Sequence, residues 1–308
     1  MGELRPRGVR RNIAFSLVFR PALDQMSDRR SSRGRAADGD RASARIEERR
    51  VEVGFEGGNR LLQALASEDL ALLEPGLSRV VLVAREPLER PGARIEHCYF
   101  VEQGLIAVRA RSPGSRRVDV GPVGPEGMTG LPVVLNDDRS PHETYVQVAG
   151  AAWRIGAGAL RSALAASPSL QGLLLRYAQW FLTQTIHTAL ANGATSVGVR
   201  LARWLLMAQD RVGDCLPFTH ELLALTLGVR RSGVTDALHV LEGRGLIRAT
   251  RGQIAVLHRD GLIEAAGGSY GVPEAEYERL LGLAASLPRA AQCDRSGGFR
   301  VSSARGAQ

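Results

Sequence analysis

Six side chains able to give or take hydrogen bonds, Arg230, Arg231, Ser232, Thr235, Asp236 and His239, crowd one short stretch, with Thr219 before it and Arg251 after it. Guanidinium, hydroxyl, carboxylate and imidazole groups at that density form the donor and acceptor set that meets base edges and phosphate oxygens. The same types have plainer uses: Asp236 serves equally as a local cap or ion-pair partner, and His239 as a solvated surface residue. No nucleophile elbow, phosphate-loop motif or clustered acid and base accompanies them, so no catalytic residues are assigned.

The elements that must hold these groups are written into residues 217–257. Thr219 can cap a helix in which Leu222, Leu223, Leu225 and Thr226 recur at helical spacing, and Glu221 sits where it favours the positive end of the dipole. Gly228 breaks that helix, and a second runs from about Arg230 to Gly243. Val234, Leu238 and Leu241 form its buried stripe, leaving the polar group off the stripe and mainly on its N-terminal half. Gly245 closes it. Leu246–Thr250 and Gln253–Leu257 then read as two strands joined at Arg251-Gly252, with the tip arginine available to a phosphate. Helix, tight turn, helix and β-wing make a winged helix-turn-helix, a unit that contacts double-stranded DNA or, alternatively, another protein.

Upstream the pattern changes. Residues 59–74 read as one or two short amphipathic helices. Val80–Val83, Ile95–Val101, Leu105–Arg111, Arg117–Val120 and Tyr145–Val148 are β-rich runs. They are parted by Pro91-Gly92, Gln103-Gly104, Pro113-Gly114, Gly121-Pro122 and Gly124-Pro125, which predicts a small antiparallel barrel or sandwich. After Ser167-Pro168, the run Leu170–Ala191 is apolar over most of its circumference and needs burial on more than one side. Leu174, Ala178, Phe181, Thr185 and Thr188, spaced 4, 3, 4 and 3, form a candidate seam for a partner's equivalent helix; the alternative is burial wholly within one subunit. Asn192-Gly193 marks a hinge, and Val197, Leu201, Trp204, Leu205 and Ala208 form the core face of the next helix. Two small helices are expected over Asp260–Ala266 and Pro273–Ala285.

The 308 residues and 44% hydrophobic content allow two domains with real cores. Net charge is +8, but residues 1–50 hold thirteen arginines against seven acids, which accounts for +6 of it and leaves the remainder close to neutral. The basic balance is therefore weak support for nucleic-acid binding, and the helix-turn-helix pattern carries that reading. Cys98, Cys215 and Cys293 show no paired spacing, which argues against a disulfide framework, a zinc site or a cysteine-ligated cluster and for a reducing, cytoplasmic setting. His97, His142 and His187 have no partners at metal-ligand spacing, so no metal is assigned. No apolar run approaches membrane-spanning length.

The order Thr219, Leu225, Gly228-Val229, Arg231, Val234-Thr235, Leu238, Leu241-Glu242 and Gly245-Leu246-Ile247 resembles the Crp/Fnr family of bacterial transcription regulators. The run Arg200–Leu206 is similar to the segment that leads into that family's DNA-binding domain. The resemblance implies an α+β chain: a β-roll or jelly-roll effector domain akin to the cyclic-nucleotide-binding fold (residues 55–168), a long dimerisation helix (169–192) and the winged helix-turn-helix (193–260). Appended helices (261–287) follow, and tails at 1–54 and 288–308 read as disordered. It also implies a cytoplasmic homodimer with RNA polymerase as partner. Two recognition helices related by a dyad would meet a near-palindromic operator with half-site centres about 10 to 10.5 base pairs apart.

By the same resemblance Glu126, Gly127, Met128, Thr129, Gly130 and Leu131, followed by Arg139 and Ser140, lie where such domains hold a phosphate. Glycine-rich backbone can present N–H groups to an anion, and a purely structural turn explains the glycines equally well. Aligning Gly127 and Gly130 with the cassette puts Met128 where a carboxylate should hold the ribose hydroxyl, and Arg139 falls one residue late. A cyclic nucleotide is therefore not expected, and no cofactor is assigned. An iron-sulfur sensor would need an N-terminal cysteine cluster, and no cysteine precedes Cys98.

Overall fold

A computed structural model describes residues 58–112 and 117–283. The expected tails, the Pro113-Gly114 turn and Ala285 lie outside the described residues. Helices α1 (Arg60–Gln63) and α2 (Ser67–Leu73) lead into strands β1 (Leu77–Leu82), β2 (Pro87–Glu89), β3 (His97–Arg111) and β4 (Arg117–Val123). The short α3 (Leu131–Val134) precedes β5 (Glu143–Gly156). The sheet runs β1-β5-β3-β4, with β2 also on β5, and every pairing is antiparallel.

The long strand β3 differs from expectation, because Gln103-Gly104 is no turn. β5 pairs with β3 on both sides of that dipeptide, so the strand continues and the irregularity is absorbed as register shifts between Val101 and Ile106. β5 likewise runs eight residues past Val148 to Gly156, through an Ala- and Gly-rich stretch of poor strand propensity. Neighbours on both edges, β1 and β3, override that propensity. Phe100, Ile106, Val123, Met128, Val146 and Ile155 fill the space beneath the sheet.

Helix α4 (Ala157–Ala166) turns the chain into α5 (Pro168–Ala194), which starts where Ser167 caps the Leu170 N–H and proline occupies the first turn. Leu170, Leu174, Tyr177, Trp180 and Phe181 of α5 close the first core. The second core begins with α6 (Val197–Val212) and continues through β6 (Cys215–Leu216), α7 (His220–Leu227), α8 (Arg231–Gly243), β7 (Ile247–Thr250) and β8 (Gln253–Val256). The three strands order β6-β8-β7. Thr219 accepts the Leu222 N–H at 3.1 Å, and Gly228 ends α7 in the left-handed region at φ 64°, where a side chain would strain the backbone. Leu205, Leu223, Val234, Leu238, Leu241 and Ile254 are buried together, so the stripe expected for α8 is the one used.

The last described elements are α9 (Arg259–Ala265), against α6, and α10 (Val272–Leu281), which returns to α5. Trp180 Nε1 donates to the Pro273 carbonyl at 2.8 Å, and the Trp180 and Tyr277 rings meet edge-on at 4.9 Å. The Tyr277 hydroxyl donates to the Glu126 carbonyl at 2.7 Å, and α10 thereby completes the first core.

Two buried polar clusters tie the cores together. Asp119 on β4, 1% exposed, accepts from Arg109 Nε at 2.7 Å, the Tyr145 hydroxyl at 2.8 Å and the Thr226 hydroxyl of α7 at 2.8 Å. Gln147 Nε2 donates to the Thr226 oxygen at 3.0 Å. Burial opposes the Arg109 charge, but the hydrogen bond and proximity of Asp119 outweigh it and hold the guanidinium above its ordinary range. In the second cluster Arg211 of α6 donates to Glu126 at 2.7 Å and to Gln184 of α5 at 2.9 Å, all three buried.

Candidate nucleic-acid interface and effector cavity

Helix α8 turns its apolar stripe inward and therefore presents Arg231, Ser232, Asp236 and His239 to solvent. A groove runs between the start of α7, this face and the β7–β8 turn. It brings together Thr219, Arg231, His239 and Arg251 from the expected set, with His220, Glu221 and Glu242. Arg230, Ser232, Thr235 and Asp236 do not line it. Arg230 is the exposed residue immediately before α8. Thr235 is half-buried, donates to the Arg231 carbonyl at 3.2 Å and lies 3.0 Å from His220 Nδ1.

Arg231 is already engaged, its Nε lying 2.7 Å from Glu221 with both side chains more than 60% exposed. A backbone hydrogen bond to its own N–H, with Arg231 contributing, holds the Glu221 carboxyl below the usual range. Such an exposed pair aims the guanidinium without fixing it strongly. Exposed Arg244 and Arg248 flank the wing and add positive charge that the sequence reading passed over. Arg248 sits on the outward phase of β7, next to buried Ile247, and strand alternation would have found it.

The expected effector residues are placed differently from an open phosphate cradle. The N–H groups of the loop are used inside the chain: Gly124 to Glu126 Oε1, Gly127 to the Gly124 carbonyl, Met128 to the Tyr177 oxygen, Thr129 to the Tyr99 carbonyl and Gly130 to Glu89. Glu126 is buried and paired with Arg211. At Gly130, φ 80°, an added Cβ would fall on Cys98 Sγ. Arg139 points outward and donates to the Gly92 carbonyl at 2.9 Å, while Ser140 is buried against Glu89 at 2.8 Å. Met128, Thr129, Gly130, Leu131 and Ser140 line a cavity of about 520 Å³ between the sheet and α5; Glu126, Gly127 and Arg139 do not.

On α5, Leu174, Phe181 and Thr188 of the expected seam are buried within this chain, and Ala178 and Thr185 are half-buried. The exposed large apolar residues are Leu175 (41%), Leu182 (52%), Ile186 (56%) and Leu190 (61%), a neighbouring stripe of the same helix. On a helix apolar nearly all round, spacing alone does not tell the core side from the free side. Among the described residues, no group of three His, Cys, Asp or Glu side chains could hold a metal ion, and no helix is long and apolar enough to cross a membrane.

Residues 199–265 match the Crp-like helix-turn-helix domain. Solved structures with the same fold include FixK2 from Bradyrhizobium japonicum, at 16% identity over 61% of this chain and 96% of that one, TM-score 0.53. A CRP/FNR family transcriptional regulator from Thermus thermophilus is similar at 20% identity, covering 62% of this chain and all of that one, TM-score 0.52. The c-di-GMP responsive global regulator CLP of Xanthomonas campestris is similar at 18% identity over 62% and 99%, TM-score 0.50. No curated protein matches the chain.

Proposed function

We propose, for a chain that is by its helix-turn-helix domain and its fold a Crp/Fnr-type transcription regulator, that it binds a near-palindromic operator as a homodimer, with the β-roll as its effector domain. One observation carries the reading: α8 buries Val234, Leu238 and Leu241 in its own core and turns Arg231, Ser232, Asp236 and His239 to solvent, Arg231 and His239 sharing a groove with the wing-tip Arg251, and most of the four lie on its N-terminal half. That is the end of a recognition helix that meets base edges, while the wing reaches the phosphates. Thr235, 3.0 Å from His220 Nδ1, links α8 to the start of α7 that Thr219 caps, and Arg230 stands exposed just before α8.

The dimer seam is assigned to Leu175, Leu182, Ile186 and Leu190, because their burial requires a second helix that the described residues do not supply. Selection of preferred sequences from random duplex DNA by the purified full chain, at fixed near-physiological salt, tests the proposal. A twofold-symmetric consensus whose affinity falls steeply with salt supports it. Enrichment without symmetry refutes the dimer, and absence of a salt slope refutes phosphate contact.

A further inference from the structure

We infer that the cavity between the β-roll and α5 takes an uncharged, predominantly apolar small molecule. The inference rests on the reading of the β-roll as an effector domain and gives that effector a chemical class. At about 520 Å³ the cavity lies within the range of small-molecule sites. Val108, Val123, Met128, Leu131, Leu135 and Phe181 are among the apolar side chains of its wall.

Charge decides the class. Glu89 is the one Asp, Glu or Arg among the lining residues, and it is 7% exposed. Its oxygens accept from the Gly130 N–H at 2.9 Å, the Ser140 hydroxyl at 2.8 Å and the Thr144 hydroxyl at 3.0 Å. An entering phosphate or carboxylate would therefore face a buried carboxylate with no arginine to offset it. The backbone gives no relief, because the N–H groups of Gly127 through Gly130 already have acceptors inside the chain. Arg139, adjacent to the lining residue Ser140, is turned to the Gly92 carbonyl and the Asp138 carboxylate. An ammonium gains little either, since it would have to displace the three donors that Glu89 already holds. Desolvation favours the apolar molecule, and the exposed Gln179 and His142 at the rim offer it a hydrogen bond.

The test titrates the full chain at pH 8, without DNA, with N-phenyl-1-naphthylamine and with its sulfonated counterpart 1-anilinonaphthalene-8-sulfonate, reading dye fluorescence. The uncharged dye is expected to saturate at one per chain and to bind at least about tenfold more tightly than the sulfonate, the scale of one unfavourable charge contact. Ala178→Phe, which fills the cavity from α5, should weaken the uncharged dye by at least about tenfold, as steric exclusion of a bound ring requires. Thr185→Phe repeats the test from another turn of the wall should the first variant misfold, and far-UV circular dichroism reports folding of both. Leu135→Arg puts a guanidinium at the rim and should narrow the preference for the uncharged dye.

Equal binding of the two dyes, failure of the uncharged dye to bind, or full binding by both folded filled variants overturns the inference. An operator recovered from random DNA without dye binding removes this inference and leaves the regulator standing. Dye binding without any operator does the reverse.

Discussion

Thr226→Val should cost the folded chain about 2 to 3 kcal/mol. The side chain is 1% exposed and its hydroxyl gives the Asp119 carboxylate a hydrogen bond at 2.8 Å while accepting one from Gln147 at 3.0 Å. Valine keeps the volume and removes both bonds. A buried hydrogen bond to a charged group contributes about 1.5 to 3 kcal/mol. The Gln147 donor keeps only long contacts, 3.3 Å to Asp119 and 3.3 Å to Tyr145, so part of a second bond is lost. Thr226→Ser is the internal reference: it retains the hydroxyl and gives up one buried methyl, about 0.8 kcal/mol.

The measurement is equilibrium urea unfolding at matched protein concentration, followed by the fluorescence of Trp180 in the first core and Trp204 in the second. The valine variant should be the less stable of the two. A valine cost under about 0.5 kcal/mol, or one below that of serine, would mean that water already serves Asp119. The seat of α7 on β4 would then be wrong.

Other outcomes follow from separate parts of the molecule. Arg231→Ala should weaken operator binding by about 1 to 3 kcal/mol and relax one base position, read by competition with single-base operator variants; unchanged affinity removes it from the reading set. Glu221→Gln frees Arg231 from its 2.7 Å ion pair and removes a charge that repels phosphate, so DNA affinity should rise a few-fold at low salt and converge with the parent at high salt. Ile186→Glu should weaken self-association by roughly 100-fold or more, seen by analytical ultracentrifugation, because each seam would bury an unpaired carboxylate.

Burial, with the charge of Arg154 second, holds the His97 imidazole below its usual 6.5. As pH falls through about 6.5, the unfolded chain therefore binds the proton first. The contribution of His97 to stability, complete above that pH, is lost on acidification. His97→Gln should flatten stability against pH between about 7 and 5, with thermal unfolding as the readout.

Local signals explain why the DNA-facing half was readable in the sequence. Thr219 at the cap, Gly228 at the break and Val234, Leu238 and Leu241 on one face each act within a turn or two of helix. The same logic fails where the deciding partner is remote. Gln103-Gly104 looks like a hairpin turn until β5 is known to run alongside it. Glu126 looks available to a ligand until Arg211, 85 residues on, is found against it. Asp119 and Thr226 are 107 residues apart, and nothing near either announces the other. The seam on α5 is hard to read for another reason: a helix apolar on most sides hides which side its own chain will cover, and here the first core takes Leu174 and Phe181 while Arg203 of α6 donates to Thr188.

The return of α10 to α5 has a consequence for synthesis. Trp180 and the loop at Glu126 are made early, yet the tyrosine ring and backbone carbonyl that complete their packing arrive only with Pro273 and Tyr277. As the chain leaves the ribosome, the β-roll must wait with one wall open while the whole winged domain is threaded out and folded. Its open apolar surface is then sealed by α10. A message truncated just past the wing would thus yield an intact winged domain attached to a β-roll that never closes.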